Sequence, residues 1–458
     1  MNLPDAPPTD EEVNMLFARS HPIERITLFN EYLEIVQTEY LHWTDFQEKF
    51  KNAKLTPTDL RLLWGYTNLS RQLNSRIIPF LTLNLRYVQT PQLEKTLHVI
   101  DMQIGDKIEL EEKVPEAGLR KKYLVNSLME EAIASSQIEG AATTRAVAKK
   151  MLQENRKPRT KDERMIVNNY LAMKFIKDQL QKSRRLNIDF IKELHKVVTH
   201  HTLEKTEYEG QFRDNNDINV YYISEEKHGE IVKQLIHTPP DYKKIKDFME
   251  EFCNFANNEQ RGYYLHPIVK AIALHYMIGY LHPFYDGNGR TARALFYWYA
   301  LSQGYDYLEY IALSTAIKSA YKQYPMAYLY AESDHNDITY FVKFNMEMLN
   351  TAINSFKAYI NRKKIENRKI LDTIHRDRRL NLRQADIINN LSKSERRITI
   401  EEMQERYNIT YETARTDLLE LVEIGFMHKL PIGKRFFFML DKEEVLRSMH
   451  DLTENGQK

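Results

Sequence analysis

The sequence predicts a mainly α-helical, multidomain protein with an all-helical core carrying a small β-hairpin flap, a helical amino-terminal region before it and a winged helix after it. Three observations predict this. There are 14 glycines in 458 residues, about 3% against the usual figure of about 7%. Long segments repeat their apolar residues at helical period with little punctuation. The carboxy-terminal block changes grammar to helix, short turn, helix, hairpin.

Residues 1–118 read as helices broken near Pro22, Pro57, Pro79 and Pro91, rich in Leu and Tyr and without a convergent polar cluster. Residues 119–360 form the core, and its one clearly non-helical patch lies between Gln211 and Pro240. Phe341 to Leu380 reads as one long helix whose charged later half (Arg362, Lys363, Lys364, Arg368, Lys369) makes residues 361–380 a connector. Residues 381–458 are the winged domain. Thr399 to Glu402 is a capping box, Thr410 caps the next helix, and Gly425 stops it. Strands then run from Phe426 to Leu430 and from Arg435 to Leu440.

With 42% hydrophobic residues the chain can build large cores, and its length suggests about two to four domains. Lys and Arg number 65 against 64 Asp and Glu, a net charge of +1, so no global field advertises nucleic acid or a membrane. The one cysteine, Cys253, excludes an intramolecular disulfide and a multi-cysteine zinc cluster, and fits a reducing cytoplasm. Met1 to Asp10 carries Pro7 and Pro8 and lacks the basic and apolar regions of a secretory signal. No run reaches the roughly 18 apolar residues of a membrane span, so no membrane partner is expected.

The chemistry concentrates in "HPFYDGNGRTAR", His282 to Arg293, a joint between two helices. Gly287-Asn288-Gly289 falls where the second helix begins. The first amides of a helix have no partners and carry the positive end of its dipole, so this is an anion nest. Glycine lets a phosphate approach the backbone and permits positive φ. Arg290 and Arg293, three apart on the first turn, should converge on one polyphosphate, and Asp286 can hold the Mg²⁺ that such a substrate brings. His282, at the end of the preceding helix, can take a proton near neutral pH. The eight residues His282, Phe284, Asp286, Gly287, Asn288, Gly289, Arg290 and Arg293 at this fixed spacing should arise by chance less than about once in 10⁸ starts.

A second motif, "SSQIEG" (Ser135 to Gly140), ends the helix that begins near Lys122, with Gly140 as its stop. Glu139 then lies at the negative end of a helix dipole and calls for an arginine opposite. Ser135 lies one turn earlier on the same face. Ala132, Ala134 and Ser136 are small enough to let another helix approach closely.

The first stretch resembles the signature of the Fic family, HxFx(D/E)GN(G/K)RxxR, at every specified position. That resemblance implies transfer of AMP from ATP to a Ser, Thr or Tyr hydroxyl of a target protein or of the enzyme itself. His282 would be the general base, Phe284 a core anchor and Asp286 the Mg²⁺ ligand. The Gly287 to Gly289 backbone with Asn288 would hold the α- and β-phosphates, Arg290 would add charge at the β-phosphate, and Arg293 would reach the γ-phosphate. Gly289 favours AMP transfer, because relatives that phosphorylate carry lysine there. The second motif resembles the family's inhibitory (S/T)xxxE(G/N), which implies that Glu139 pairs with Arg293 as an amino-terminal, intramolecular brake. The segment Gly210-Gln-Phe-Arg213 and the runs Ile218–Ile223 and Ile231–Ile236 resemble the family's target-presenting hairpin flap. Tyr324 falls where relatives place an aromatic near the nucleotide base, although Pro325 replaces the tyrosine usual there.

Two other readings stay open from the sequence alone: AMP removal, with Glu139 aligning a water, and DNA regulation through the winged helix. Residues 371–458 hold about 15 basic and 16 acidic side chains, so the footprint of a strong DNA binder is missing and a protein partner fits that domain at least as well. Target identity, homodimerisation and the role of residues 1–118 are also open.

Overall fold

The computed structural model describes residues 3–19, 22–80, 83–104, 117–225, 231–258, 264–376, 379–394, 397–432, 435–445 and 447. Two compact units divide the chain, one of residues 1–108 with 126–353, the other of 109–125 with 354–458.

The first unit opens with helices α1 (Asp10–Arg19), α2 (Pro22–Glu39), α3 (Trp43–Phe50) and α4 (Pro57–Asn74). The prolines at 22 and 57 stand at helix starts, where a missing N–H costs nothing. Phe29, Val36, Trp43, Phe46, Leu62 and Trp64 build the core of this region. The expectation of helices alone is corrected here. An antiparallel hairpin, β1 (Ser75–Phe80) and β2 (Leu83–Val88), pairs Ile78 with Leu85 and Phe80 with Leu83. Alternating burial along β1 and fully buried Leu85 and Tyr87 stabilise strands where Pro79 suggested only a helix break. Helix α5 (Pro91–Ile104) follows.

Helices α6 (Ala117–Ile138), α7 (Arg145–Gln153), α8 (Lys161–Lys182) and α9 (Ile188–Thr199) lead to the flap, β3 (Val220–Glu225) paired antiparallel with β4 (Ile231–His237). Then come α10 (Ile245–Asn257), α11 (Pro267–Leu281), α12 (Asn288–Ser302), α13 (Leu313–Ser319), α14 (Gln323–Ser333) and the long α15 (Thr339–Arg376). Twelve of the 15 residues of α11 are buried. Fourteen of the 15 in α12 are buried too, the exception being Gly289. Helices apolar on all sides belong at the centre of a core, so α11 and α12 are its axis. A site at their junction rests on the most deeply packed pair of helices among the described residues.

A buried polar network ties the amino-terminal helices to this core. Arg71 lies 3.9 Å over the Tyr40 ring and donates to Tyr340 Oη at 2.8 Å, and Tyr340 donates to Asp334 at 2.7 Å. Tyr40 donates to Asp337 at 2.7 Å, and His42 stacks on Tyr330 at 4.2 Å. The sequence of residues 1–118 shows no site chemistry, and these contacts give Tyr40, His42 and Arg71 a structural role.

In the second unit, α16 (Leu382–Ser394), α17 (Ile400–Tyr407) and α18 (Tyr411–Glu423) precede strands β5 (Met427–Ile432) and β6 (Arg435–Leu440). Both bonds of the Thr399–Glu402 capping box form, Thr410 caps α18, and Gly425 takes φ of 90°. Ile387, Leu391, Met403, Leu418, Phe426 and Phe438 share one core. Pro431, expected in the turn, is the fifth residue of β5. No helix among the described residues is long and apolar enough to cross a membrane.

Burial lowers the imidazole pKa of His42 and of His195 to about 4 and that of His275 to about 3. The folded state therefore binds fewer protons than the unfolded chain below the ordinary histidine value of about 6.5. We expect stability to be full above that pH and to fall by several kcal/mol as pH drops from about 6.5 to about 4. Urea unfolding across this window checks it, and replacing His275 by Leu should flatten part of the slope.

Candidate active site

Helix α11 ends at Leu281, and His282 caps it in the left-handed conformation, φ 45° and ψ 56°. That backbone is unfavourable for a non-glycine residue and must be held. Arg213 holds it: Nε donates to the His282 carbonyl at 2.9 Å, and its backbone amide donates to the Pro283 carbonyl at 2.9 Å. The remaining guanidinium nitrogens bond to Asn215, Asn216 and the Pro240 carbonyl. Burial lowers the Arg213 pKa from its ordinary value, yet the guanidinium stays charged.

The imidazole is fixed as well. His282 Nδ1 lies 2.9 Å from the Gly279 carbonyl, which only accepts, so the proton sits on Nδ1 and Nε2 keeps its lone pair. Burial depresses the His282 pKa, against the pull of the Gly279 carbonyl. A neutral ring near pH 7 with a free Nε2 is what a general base requires.

The loop from Pro283 to Gly287 is closed by its own residues. Asn288 Oδ1 accepts from the Phe284 amide and Nδ2 donates to the Phe284 carbonyl, both at 2.9 Å. Asn288 thus commits its side chain to shaping the loop and leaves its backbone to the nest. His195, on α9, stacks on Phe284 at 3.7 Å, bonds the Asp286 carbonyl through Nε2 at 2.8 Å and accepts from the Gly210 amide through Nδ1 at 2.9 Å. Gly287 adopts φ of 82° as the N-cap of α12, with no side chain capping that helix. Its amide donates to Asp286 Oδ1 at 2.6 Å. The Asp286 side chain is 58% exposed, and its Oδ2 lies 3.8 Å from Arg290 Nη2. One exposed carboxylate beside a phosphate-sized nest suits Mg²⁺, which takes few protein ligands and completes its shell with substrate phosphates and water.

The nest already faces an anion. A Cβ added to Gly289 would lie 2.3 Å from Glu139 Oε1 and 3.2 Å from Arg293 Nη1. Glu139 reaches this place because α6 stops there: the Gly140 amide donates to Gln137 O and the Ala141 amide to Ser136 O, with Gly140 at φ 92°. Arg293 Nη2 donates to Glu139 Oε1 at 3.0 Å and to the Ser135 carbonyl at 2.9 Å, while Nε donates to Ser135 Oγ at 2.9 Å. Glu131, two turns before Glu139, lies behind this pair; it accepts from Tyr297 Oη and the Ser314 amide at 2.8 Å each. Burial raises its pKa.

The sequence-predicted residues therefore divide into two groups. Glu139, His282, Asp286, Asn288, Gly289 and Tyr324 line one cavity of about 230 Å³, closed by Val220, Ile236 and His237 of the flap and by Tyr328 and Glu332 of α14. Arg290, Arg293 and Ser135 line a small hollow with Glu131 and Tyr297 instead. Arg290 donates to the Val198 carbonyl at 3.2 Å, so the two arginines diverge from their shared turn. Tyr324 Oη is 2.8 Å from His275 Nε2. Sequence reasoning missed His195, Glu131, Glu332 and His237; the last two bond each other at 2.8 Å, and His237 Nε2 also holds the Tyr280 carbonyl.

The stretch of chain that holds most of this site is similar to known proteins. The Fic/DOC family model matches residues 185–300, and the DeoR-like helix-turn-helix domain matches residues 383–433. The chain carries a Fic domain. Protein adenylyltransferase Fic of Drosophila mojavensis is 33% identical over 135 residues, 30% of this chain and 23% of the relative. Its counterpart in Nematostella vectensis is 28% identical over 201 residues, 41% of this chain and 38% of the relative. The chain thus matches well under half the length of these curated relatives. Among solved structures, a Fic family protein from Desulfovibrio desulfuricans is similar with a TM-score of 0.49 at 18% identity, over 78% of this chain and 97% of that one. Fic-1 from C. elegans gives 0.48 at 15% identity, over 77% and 94%.

His195 supplies a test of the frame. His195→Phe keeps the ring stack on Phe284 but leaves the buried Gly210 amide without its acceptor. We expect a loss of about 1–3 kcal/mol, read by urea unfolding, with the second unit unaffected.

Proposed function

We propose that the protein is an adenylyltransferase that moves AMP from ATP to a Ser, Thr or Tyr hydroxyl of a protein target, itself included, and that Glu139 restrains it. One observation carries the reading: an uncapped glycine-rich helix N-terminus beside a histidine with a free Nε2 is occupied from within by a carboxylate paired to the signature's second arginine. A site that takes one anion from its own chain is built to take another. The Fic domain and the adenylyltransferase relatives support the same reaction.

In this mechanism His282 Nε2 accepts the proton of the target hydroxyl as its oxygen attacks the α-phosphorus. The new P–O bond replaces the bond to pyrophosphate, which leaves with the β- and γ-phosphates. The amides at Gly287 to Gly289 and the end of the α12 dipole hold the phosphates, and Arg290 and Arg293 add charge behind them. Mg²⁺ at Asp286 would neutralise phosphate charge when bound. The flap offers exposed Tyr221 and Leu235 beside free backbone for pairing with an extended target segment. Target choice is assigned to the flap and to the winged helix, whose near-neutral charge suits a protein partner at least as well as DNA.

Two predictions test the base. His282→Ala should abolish transfer of label from α-labelled ATP while leaving nucleotide affinity nearly unchanged, since it removes a proton acceptor and no phosphate contact. In the wild type the transfer rate should be flat above about pH 6.5 and fall on the acid side, at a midpoint below that value because burial lowers the His282 pKa. A midpoint above it would contradict the assignment.

Glu139→Gly should raise self-modification roughly ten- to a thousandfold, about 1.4 to 4 kcal/mol of barrier. Removing the carboxylate takes away the anion that Arg293 bonds directly, so the variant should lose stability and regain it when ATP supplies an anion. The gain should vanish in the Glu139→Gly, His282→Ala double variant. Unchanged rates in a folded Glu139→Gly protein would reject the brake.

A further inference from the structure

A second cluster of chemistry-bearing side chains lies outside the cavity. His200 and His201, just past the end of α9, meet Glu209, the residue before the Gly210–Arg213 segment. One potential ligand atom from each lies within 4.8 Å of the other two. His200 Nδ1 is 3.3 Å from Glu209 Oε2. Two ligands bound to one tetrahedral zinc at about 2.0–2.2 Å stand roughly 3.4 Å apart, so the pair already has the separation a shared ion needs. His201 is held at φ 52°, and that turn brings two consecutive rings onto one side, their centroids 4.0 Å apart.

The charge balance points the same way. The Glu209 side chain is 6% exposed, whereas His200 is 54% exposed. Among the described residues, no lysine or arginine lies within ion-pair distance of that carboxylate; its bonds come from His200 and from the His201 amide at 2.6 Å. A shielded carboxylate without a cation is costly. A divalent ion would satisfy it and use both imidazoles.

We propose that His200, His201 and Glu209 bind one transition-metal ion of the zinc class, with a fourth position open to water. Two imidazoles and one carboxylate suit zinc over Mg²⁺ or Ca²⁺, which prefer oxygen alone, so this site is chemically distinct from Asp286. Its role is structural. The ion joins the end of α9, where Thr199 packs against Gly287, to the segment whose Gly210 amide bonds His195 and whose Arg213 holds the His282 carbonyl.

The test is zinc titration of the full chain by calorimetry, with Co²⁺ absorption as a second readout. Wild type should bind one zinc per chain and give the intense visible bands of four-coordinate cobalt. The His200→Ala, His201→Ala variant changes exposed side chains and should fold normally by circular dichroism. It should bind zinc more weakly by more than the roughly hundredfold that supporting residues alone can cost. Glu209→Gln should also weaken binding. Absence of zinc binding in wild type would overturn the proposal, as would equal affinity in the double-histidine variant, which would place the ion elsewhere.

Discussion

A guanidinium withdrawn from water must be given an anion, and most of the site follows from where Arg293 finds one. It is 2% exposed, and desolvation is the largest influence on it. The charge is kept because α6 delivers Ser135 and Glu139 at a spacing of four, one turn apart on the face that meets α12. Glu131 extends the same face by another turn; its oxygens accept from Tyr297 and Ser314, and its charge adds to the field that favours the Arg293 cation. The Glu139 carboxylate is thus part of the fold itself, because it completes the packing of α6 against α12.

The second constraint is the backbone of His282. A left-handed histidine is uncommon, and here two distant segments and one neighbouring residue share in stabilising it and its loop. Arg213 holds the His282 carbonyl, Asn288 clasps Phe284, and His195 braces Asp286 while stacking on Phe284. Each bond satisfies a backbone group that the turn would otherwise leave unpaired. The result is an imidazole whose Nε2 and a nest whose amides are fixed by the fold itself, as the proposed mechanism requires of them. That pre-organisation lowers the cost of reaching the transition state.

Much of this was legible in the sequence because it is local. The helix break at His282, the nest at Gly287 to Gly289, the stop at Gly140 and the capping box at Thr399 each depend on neighbours within a few residues. The pairing of Glu139 with Arg293 spans 154 positions and was legible only through the resemblance of two motifs. His195, Glu131 and Glu332 left no local signal, since a histidine or glutamate on a helix acquires its partner only when another helix packs there. The β1–β2 hairpin was hidden for a related reason: Pro79 signalled a break, while burial of Ile78, Phe80 and Leu85 decides for strands. Arg290 and Arg293 share a helical turn, but three residues leave them about 60° apart, enough for one to turn toward Val198 and the other toward Ser135.

The bonds left unmade are as informative as those formed. Buried donors without partners are rare in folded proteins, and two of those found among the described residues, Arg290 Nε and Arg293 Nη1, lie within the first two turns of α12. Arg293 Nη1 stands within 3.2 Å of the position a Gly289 Cβ would take, so it faces the nest. Glu139 brings a single carboxylate to this place, and the oxygen it gives to Arg293 engages Nη2. A polyphosphate carries more oxygens and more charge, and can reach donors that the carboxylate leaves idle. The internal anion therefore pairs with the guanidinium without satisfying all of its donors. Under the proposed function, that deficit is what would let a larger anion compete for the site, and it would make the contact between Glu139 and Arg293 a restraint instead of a permanent block.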